Sequence, residues 1–329
     1  MKSKNIELAD ISKYRSELMG VAIVFVALFH VPLSSDELLF GLYRCGNIGV
    51  DIFLFLSGIG LWFSWTKNPS VRSFYKRRLL RIYPTWLIIA VMYFPLQIDY
   101  QTAVLKDYVR LLVDVLFYWS YWRNHDLTFW FIPTIILFYL WAPWYMKLIQ
   151  KYPVYRWSPV LMIVGCVILH WVQPFGSRFM ELEITWSRIP IFFIGINIGE
   201  TIRLKQNVEP EGRWLVLLAL LMSSGISIYF ETVVESFPNF VERMVYIPFS
   251  ISLVLLLIDI LNRIPEWSLK CLASLGGISL EVYMLHFYFV MIYLIPLQLG
   301  YWTTALITLI ITIPLSWILH RITDKLFLK

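Results

Sequence analysis

The chain alternates long apolar runs with short polar clusters. Apolar stretches fall at 17–34, 48–65, 82–97, 109–121, 129–146, 157–173, 186–202, 214–230, 243–261, 278–297 and 302–320. A bilayer's hydrocarbon core is roughly 30 Å thick and a helix rises 1.5 Å per residue, so a run of about 20 residues can span it. The stretch 109–121 is too short. It also sets Asp107, Arg110 and Asp114 at helical spacing opposite Tyr108, Leu111, Leu112, Val115 and Leu116. Such a stripe suits a helix lying in an interface. The pattern predicts an all-α polytopic membrane protein, one domain over 1–329, with about ten transmembrane helices.

Charge sets the orientation. With 109–121 left out and the N-terminus in the cytoplasm, inner segments carry 21 of the 28 lysines and arginines and outer segments carry 5. Cytoplasmic loops are the basic ones in membrane proteins. Counting 109–121 as a span would reverse every later loop. Both termini are therefore expected inside. The outer loops are acidic instead, with Asp36, Glu37, Asp126, Glu181, Glu183, Glu231 and Glu235.

Composition agrees. Of the 329 residues 59% are hydrophobic and only 15% charged, against 45–50% and about 25% in soluble domains. This excludes a disordered, nucleic-acid-binding or ordinary cytosolic protein. Lys2, Lys4, Lys13 and Arg15 run into the first apolar stretch with no small-x-small site after it, so that stretch is read as a retained span. Cys45, Cys166 and Cys271 are scattered and odd in number, fitting neither a disulfide framework nor a zinc site. No metal site and no permanently bound cofactor is expected.

Ionisable residues inside spans are costly and mark cavities or partners. His30 closes the first span and Asp51 opens the second, within roughly a helical turn of the same depth. A carboxylate beside an imidazole raises its basicity, as a general base for a hydroxyl requires. Against that, His30 can bond a carbonyl and Asp51 can cap a helix. Arg188 and Trp130 open their spans at similar depth; Trp130 also reads as a belt aromatic. On the inner side, Phe74 to Pro84 holds Lys76, Arg77, Arg78 and Arg81. Such a cluster is either a topology anchor facing anionic lipid or a phosphate site in which Arg78 and Arg81 share a face. Arg15 adds to the same field. In the tenth span, Ser279, Glu281, Tyr283 and His286 follow one another. Glu281 and His286 point about 140° apart. Glu281 lies near the inner end, where an arginine of the 78–81 cluster is a possible partner. His125 and His320 read as surface residues.

These blocks occur together in one family, and the chain resembles the integral-membrane acyltransferase family 3. Gly20 to His30 looks like that family's first span with its terminal histidine. Gly46 to Gly58 looks like its G-V-D-x-F-F-x-L-S-G block. Phe74 to Pro84 resembles its basic R-x-x-R segment, Trp130-Phe131-Ile132 its W-F-L block, and Ile278 to His286 its S-x-E-x-Y-x-x-H block. The resemblance implies an acyl-CoA donor, usually acetyl-CoA, held on the cytoplasmic side, and a carbohydrate hydroxyl as acceptor. It implies His30 as the catalytic histidine, with Asp51 beside it. Arg78 and Arg81 become contacts for CoA phosphates, with Lys76 and Arg15 in support. Trp130, Arg188, Glu281, Tyr283 and His286 are further candidates for site support. The family carries an arginine eleven residues before its histidine, where this chain has Met19; Arg15 lies one turn away on the same face. The expectation is a plasma-membrane O-acetyltransferase of a surface carbohydrate. The rival is a transporter or flippase of a glycan intermediate.

Overall fold

The computed structural model describes residues 6–172, 180–234 and 237–327; Lys2, Lys4 and Glu235 lie outside them. The described chain is an all-helical bundle whose only strand pairing joins Ile6–Glu7 to Asn207–Val208. Its main helices are α1 (Arg15–His30), α2 (Ile48–Lys67), α3 (Val71–Tyr93), α4 (Leu105–Phe117), α5 (Phe131–Lys151) and α6 (Ser158–Trp171). They continue with α7 (Ile189–Arg203), α8 (Pro210–Thr232), α9 (Asn239–Leu261), α10 (Glu266–Gly277), α11 (Ser279–Leu285) and α12 (Tyr301–Phe327).

Eight helical stretches among the described residues are long and apolar enough to cross a membrane: 40–67, 71–97, 131–151, 153–171, 212–232, 239–261, 279–297 and 301–327. This is a multi-pass membrane protein. α1 and α7 are shorter, at 16 and 15 residues, and sit at the core of the bundle. There α2 packs between them. A Cβ on Gly49 would meet the carbonyl of Ala22, and one on Gly46 that of Phe25, while Gly60 lies against Arg15. α1 and α2 are therefore antiparallel. Gly58 lies on the Phe192 carbonyl, Gly195 on that of Phe55, and Gly199 on Trp62. α2 and α7 thus run parallel, with backbones as close as small residues allow.

That parallel pair requires an odd number of crossings between α2 and α7, and α3, α5 and α6 supply three. A fourth crossing by α4 would reverse α7. α4 instead ends at Tyr118, which has a left-handed backbone (φ 48°). Its Leu105, Tyr108, Val109 and Leu112 are exposed, while Asp107, Arg110 and Asp114 line an open cleft of about 490 Å³.

Candidate functional site

The basic end of the bundle is where the start of α1, the start of α3 and the last turns of α12 meet. Ser70 caps α3 by accepting the N–H of Ser73 at 3.3 Å. The basic run is therefore helical from its first turn, with Arg78 and Arg81 one turn apart and Arg77 beside Arg78. With Arg15 they line a cavity of about 530 Å³ that also holds Thr85, Glu281 and His320. Arg15 is anchored by its Nε, which donates to the Leu56 carbonyl at 3.1 Å. Four guanidinium groups against two carboxylates, Glu281 and Asp324, leave this space with a positive balance. Lys76 points away from it and is exposed; Arg77 takes the place expected for Lys76. Among the described residues Glu281 pairs with no arginine. It accepts from Thr85 Oγ1 at 3.3 Å and lies 3.0 Å from His320 Nδ1. His320, read from sequence as a surface residue, is half-buried and belongs to the cavity wall.

A small apolar pocket of about 70 Å³ adjoins this cavity and shares Met19, Arg81, Ser279 and Leu280 with it. Val26, Val50, Phe53, Phe131 and Tyr283 form its apolar wall. Tyr283 Oη accepts the N–H of Phe131 at 3.2 Å and so ties α11 to the start of α5. Met19 lines both spaces, whereas Arg15 lines only the cavity. The arginine that sequence offered as a substitute thus serves the basic end, not His30.

His30 ends α1 at the opposite end, about 22 Å along the helix from Arg15 at 1.5 Å per residue. Its Nδ1 lies 2.7 Å from the Val26 carbonyl and 3.3 Å from His286 Nε2. His286 is fully buried, and its own Nδ1 faces the carbonyls of Tyr283 (2.8 Å) and Val282 (3.0 Å). Carbonyls only accept, so both Nδ1 atoms carry protons. His286 Nε2 is then a lone-pair acceptor for His30 Nδ1–H. His30 Nε2 is left as a free base with no hydrogen-bond partner among the described residues. The local cause is a change of helical pitch. α11 passes into a π-helical turn over His286–Met291, a feature that frequently sits at functional sites.

Asp51 is not the partner of His30. Its Oδ2 lies 3.3 Å from Arg188 Nε, with both side chains at or below 1% exposure. Arg188 also donates to the Ile184 carbonyl (3.0 Å) and to Asn47 Oδ1 (3.2 Å), and its guanidinium sits 4.8 Å from the centre of the Trp130 ring. Neither the depth nor the face expected for Asp51 holds: Gly49 packs against Ala22, so Asp51 lies about two helical turns deeper in the bundle than His30. Gly49 faces α1, and Asp51 lies two residues on, roughly 200° around the helix, facing α7. A second buried pair, Arg243 with Glu242 at 3.2 Å, adjoins it, and Glu242 accepts from Ser227 and Tyr246. Paired and hydrogen-bonded charges of this kind hold helices in register.

The bundle thus carries an arginine-lined cavity at one end and an imidazole pair at the other. The model of an acyltransferase family, described as Acyltransferase domain, matches residues 18–321, and the chain belongs to that family. No curated protein and no solved structure matches it.

Proposed function

We propose that the protein is a plasma-membrane O-acyltransferase that moves an acetyl group from acetyl-CoA to a hydroxyl of a cell-surface or exported carbohydrate. The observation that carries this is the arginine-lined cavity, which shares part of its wall with a small apolar pocket. Arg15, Arg77, Arg78 and Arg81 suit the phosphates of CoA, and the adjoining pocket, walled by Val26 and Tyr283, lies on the side of the cavity from which its acyl-bearing arm would approach His30. The basic end is cytoplasmic, in line with the charge bias and with the parallel packing of α2 and α7, and it has ready access to CoA. The chain crosses the membrane ten times, α1 and α7 included.

His30 Nε2 is the base. It takes the acceptor's hydroxyl proton as that oxygen attacks the thioester carbonyl; the C–O bond forms and the C–S bond breaks. The imidazolium then returns the proton to the CoA thiolate, giving the ester and free CoA thiol. His286 is a positioning residue, holding His30, together with the Val26 carbonyl, in the tautomer that leaves Nε2 unprotonated. Donor and acceptor reach His30 from opposite sides, which favours direct transfer over an acyl-enzyme. Equilibrium binding of [14C]acetyl-CoA to the purified protein tests the reading. Saturable binding that Arg78→Ala plus Arg81→Ala weakens is expected. Absence of binding favours the transporter reading and overturns this one.

A further inference from the structure

A second cavity, of about 170 Å³, opens at the end opposite the arginines and is walled by Phe29, His30, Pro32, Phe40, Tyr43 and Arg44. We infer that this vestibule is the acceptor subsite, taking one sugar ring that presents two neighbouring oxygens to Arg44 while a further hydroxyl faces His30. The inference rests on the acyl-transfer reading above and adds the place and the recognition chemistry of the acceptor.

His30 belongs to this cavity, and its Nε2 is the ring nitrogen that its partners leave free. Arg44 is held twice. Its Nε meets Glu231 Oε2 at 3.0 Å, and its guanidinium stacks 4.4 Å from the centre of the Phe29 ring. The two terminal nitrogens of Arg44 have no partner among the described residues, and its side chain is 39% exposed. A guanidinium fork fixed in this way matches two oxygens side by side, as in a vicinal diol or a sugar carboxylate. Tyr43 is stacked on Tyr301 at 4.6 Å and 13°, with Trp302 edge-on at 5.7 Å. This makes a rigid aromatic wall for the apolar face of a ring. The cavity is open to the surface, so a sugar ring can enter while the rest of a longer glycan stays outside.

The test uses the full chain in cells, with Cys45, Cys166 and Cys271 replaced by alanine and Phe40→Cys added. A membrane-impermeant maleimide is applied to intact cells. The readouts are alkali-labile [14C]acetate in the envelope and, in isolated membranes, [14C]acetyl-CoA binding. Labelling is expected to lower ester formation at least tenfold relative to the same variant unlabelled, with donor affinity unchanged within twofold. Leu38→Cys, on the same segment but 95% exposed and off the cavity wall, is expected to show no effect of label. Leu33→Cys replaces Phe40→Cys if the unlabelled variant is inactive. Equal ester formation by labelled and unlabelled protein overturns the inference. So does Arg44→Ala with undiminished transfer at limiting acceptor. Donor binding without envelope ester in the parent chain would instead count against the acyl-transfer reading itself. Envelopes whose uronic acids have been reduced separate the two oxygen pairs: transfer persists for a diol and is lost for a carboxylate.

Discussion

His286→Phe isolates the role of the imidazole pair. Phenylalanine fills the ring's space but offers no lone pair to His30 Nδ1–H. The Val26 carbonyl at 2.7 Å remains, so His30 keeps one of two restraints. One neutral hydrogen bond is worth about 1 ± 0.5 kcal/mol, and 1.36 kcal/mol is tenfold in rate. The expected loss in kcat is therefore about fivefold, within a range of roughly two- to twelvefold. KM for acetyl-CoA is expected to stay within twofold, because the arginine cavity lies at the other end of α1. His286→Gln, with an amide oxygen able to accept in the same place, is expected to recover part of the rate. The assay is release of CoA thiol by purified protein in lipid nanodiscs, followed with a thiol reagent. Nitrogen-15 NMR of labelled histidine provides a readout that packing alone would not move: the Val26 carbonyl keeps the proton on His30 Nδ1, and the Nδ1–H signal should shift as its second acceptor is lost. A folded His286→Phe protein with unchanged kcat and an unchanged His30 Nδ1–H signal would refute the reasoning.

The other expectations concern separate parts of the bundle. Arg78→Ala plus Arg81→Ala should raise KM for acetyl-CoA tenfold or more, since charge-assisted bonds contribute roughly 1.5–3 kcal/mol each; a double variant with unchanged KM would assign the pair to topology. Asp51→Ala should cost about 3–5 kcal/mol by stranding the buried Arg188 charge, seen as lost thermal stability, and Asp51→Leu with Arg188→Met should restore folding. Stable Asp51→Ala protein that loses only kcat would instead place Asp51 in the chemistry. Gly195→Val should destabilise by about 1–3 kcal/mol, read as a lower Tm, because its side chain would press on the Phe55 carbonyl; an unchanged Tm would contradict the close packing. An impermeant thiol reagent should label Asp126→Cys in intact cells, and Tyr152→Cys and Lys205→Cys only after the cells are opened. Labelling of the last two in intact cells would make 109–121 a span.

Periodicity and charge made the helices legible, including the short amphipathic helix overlapping 109–121. The cations of the basic cavity were legible too, because Arg15, Arg78 and Arg81 sit at the start of their helices and at turn spacing. The pairings were not. Asp51 and Arg188 are 137 positions apart, and only the glycine contacts of α2 decide which neighbour each face meets. His320 looked like a surface residue because its partner, Glu281, sits on another helix, and Arg77 was passed over for the same reason of facing. The His30–His286 contact depends on a π-helical turn, which a 3.6-residue pattern does not reveal. The vestibule depends on short helical turns between Phe40 and Asn47, a segment whose apolar pattern carries no periodic signal.

The central claim is that His30 transfers an acyl group from acyl-CoA. Its most direct test compares wild type and His30→Ala in membranes supplied with [14C]acetyl-CoA, scoring alkali-labile label in envelope carbohydrate alongside donor binding. The account expects His30→Ala to bind acetyl-CoA with wild-type affinity and to lose transfer by a factor of about 10²–10⁴, the usual contribution of a general base. A folded His30→Ala protein that transfers acetyl groups at near the wild-type rate would contradict it.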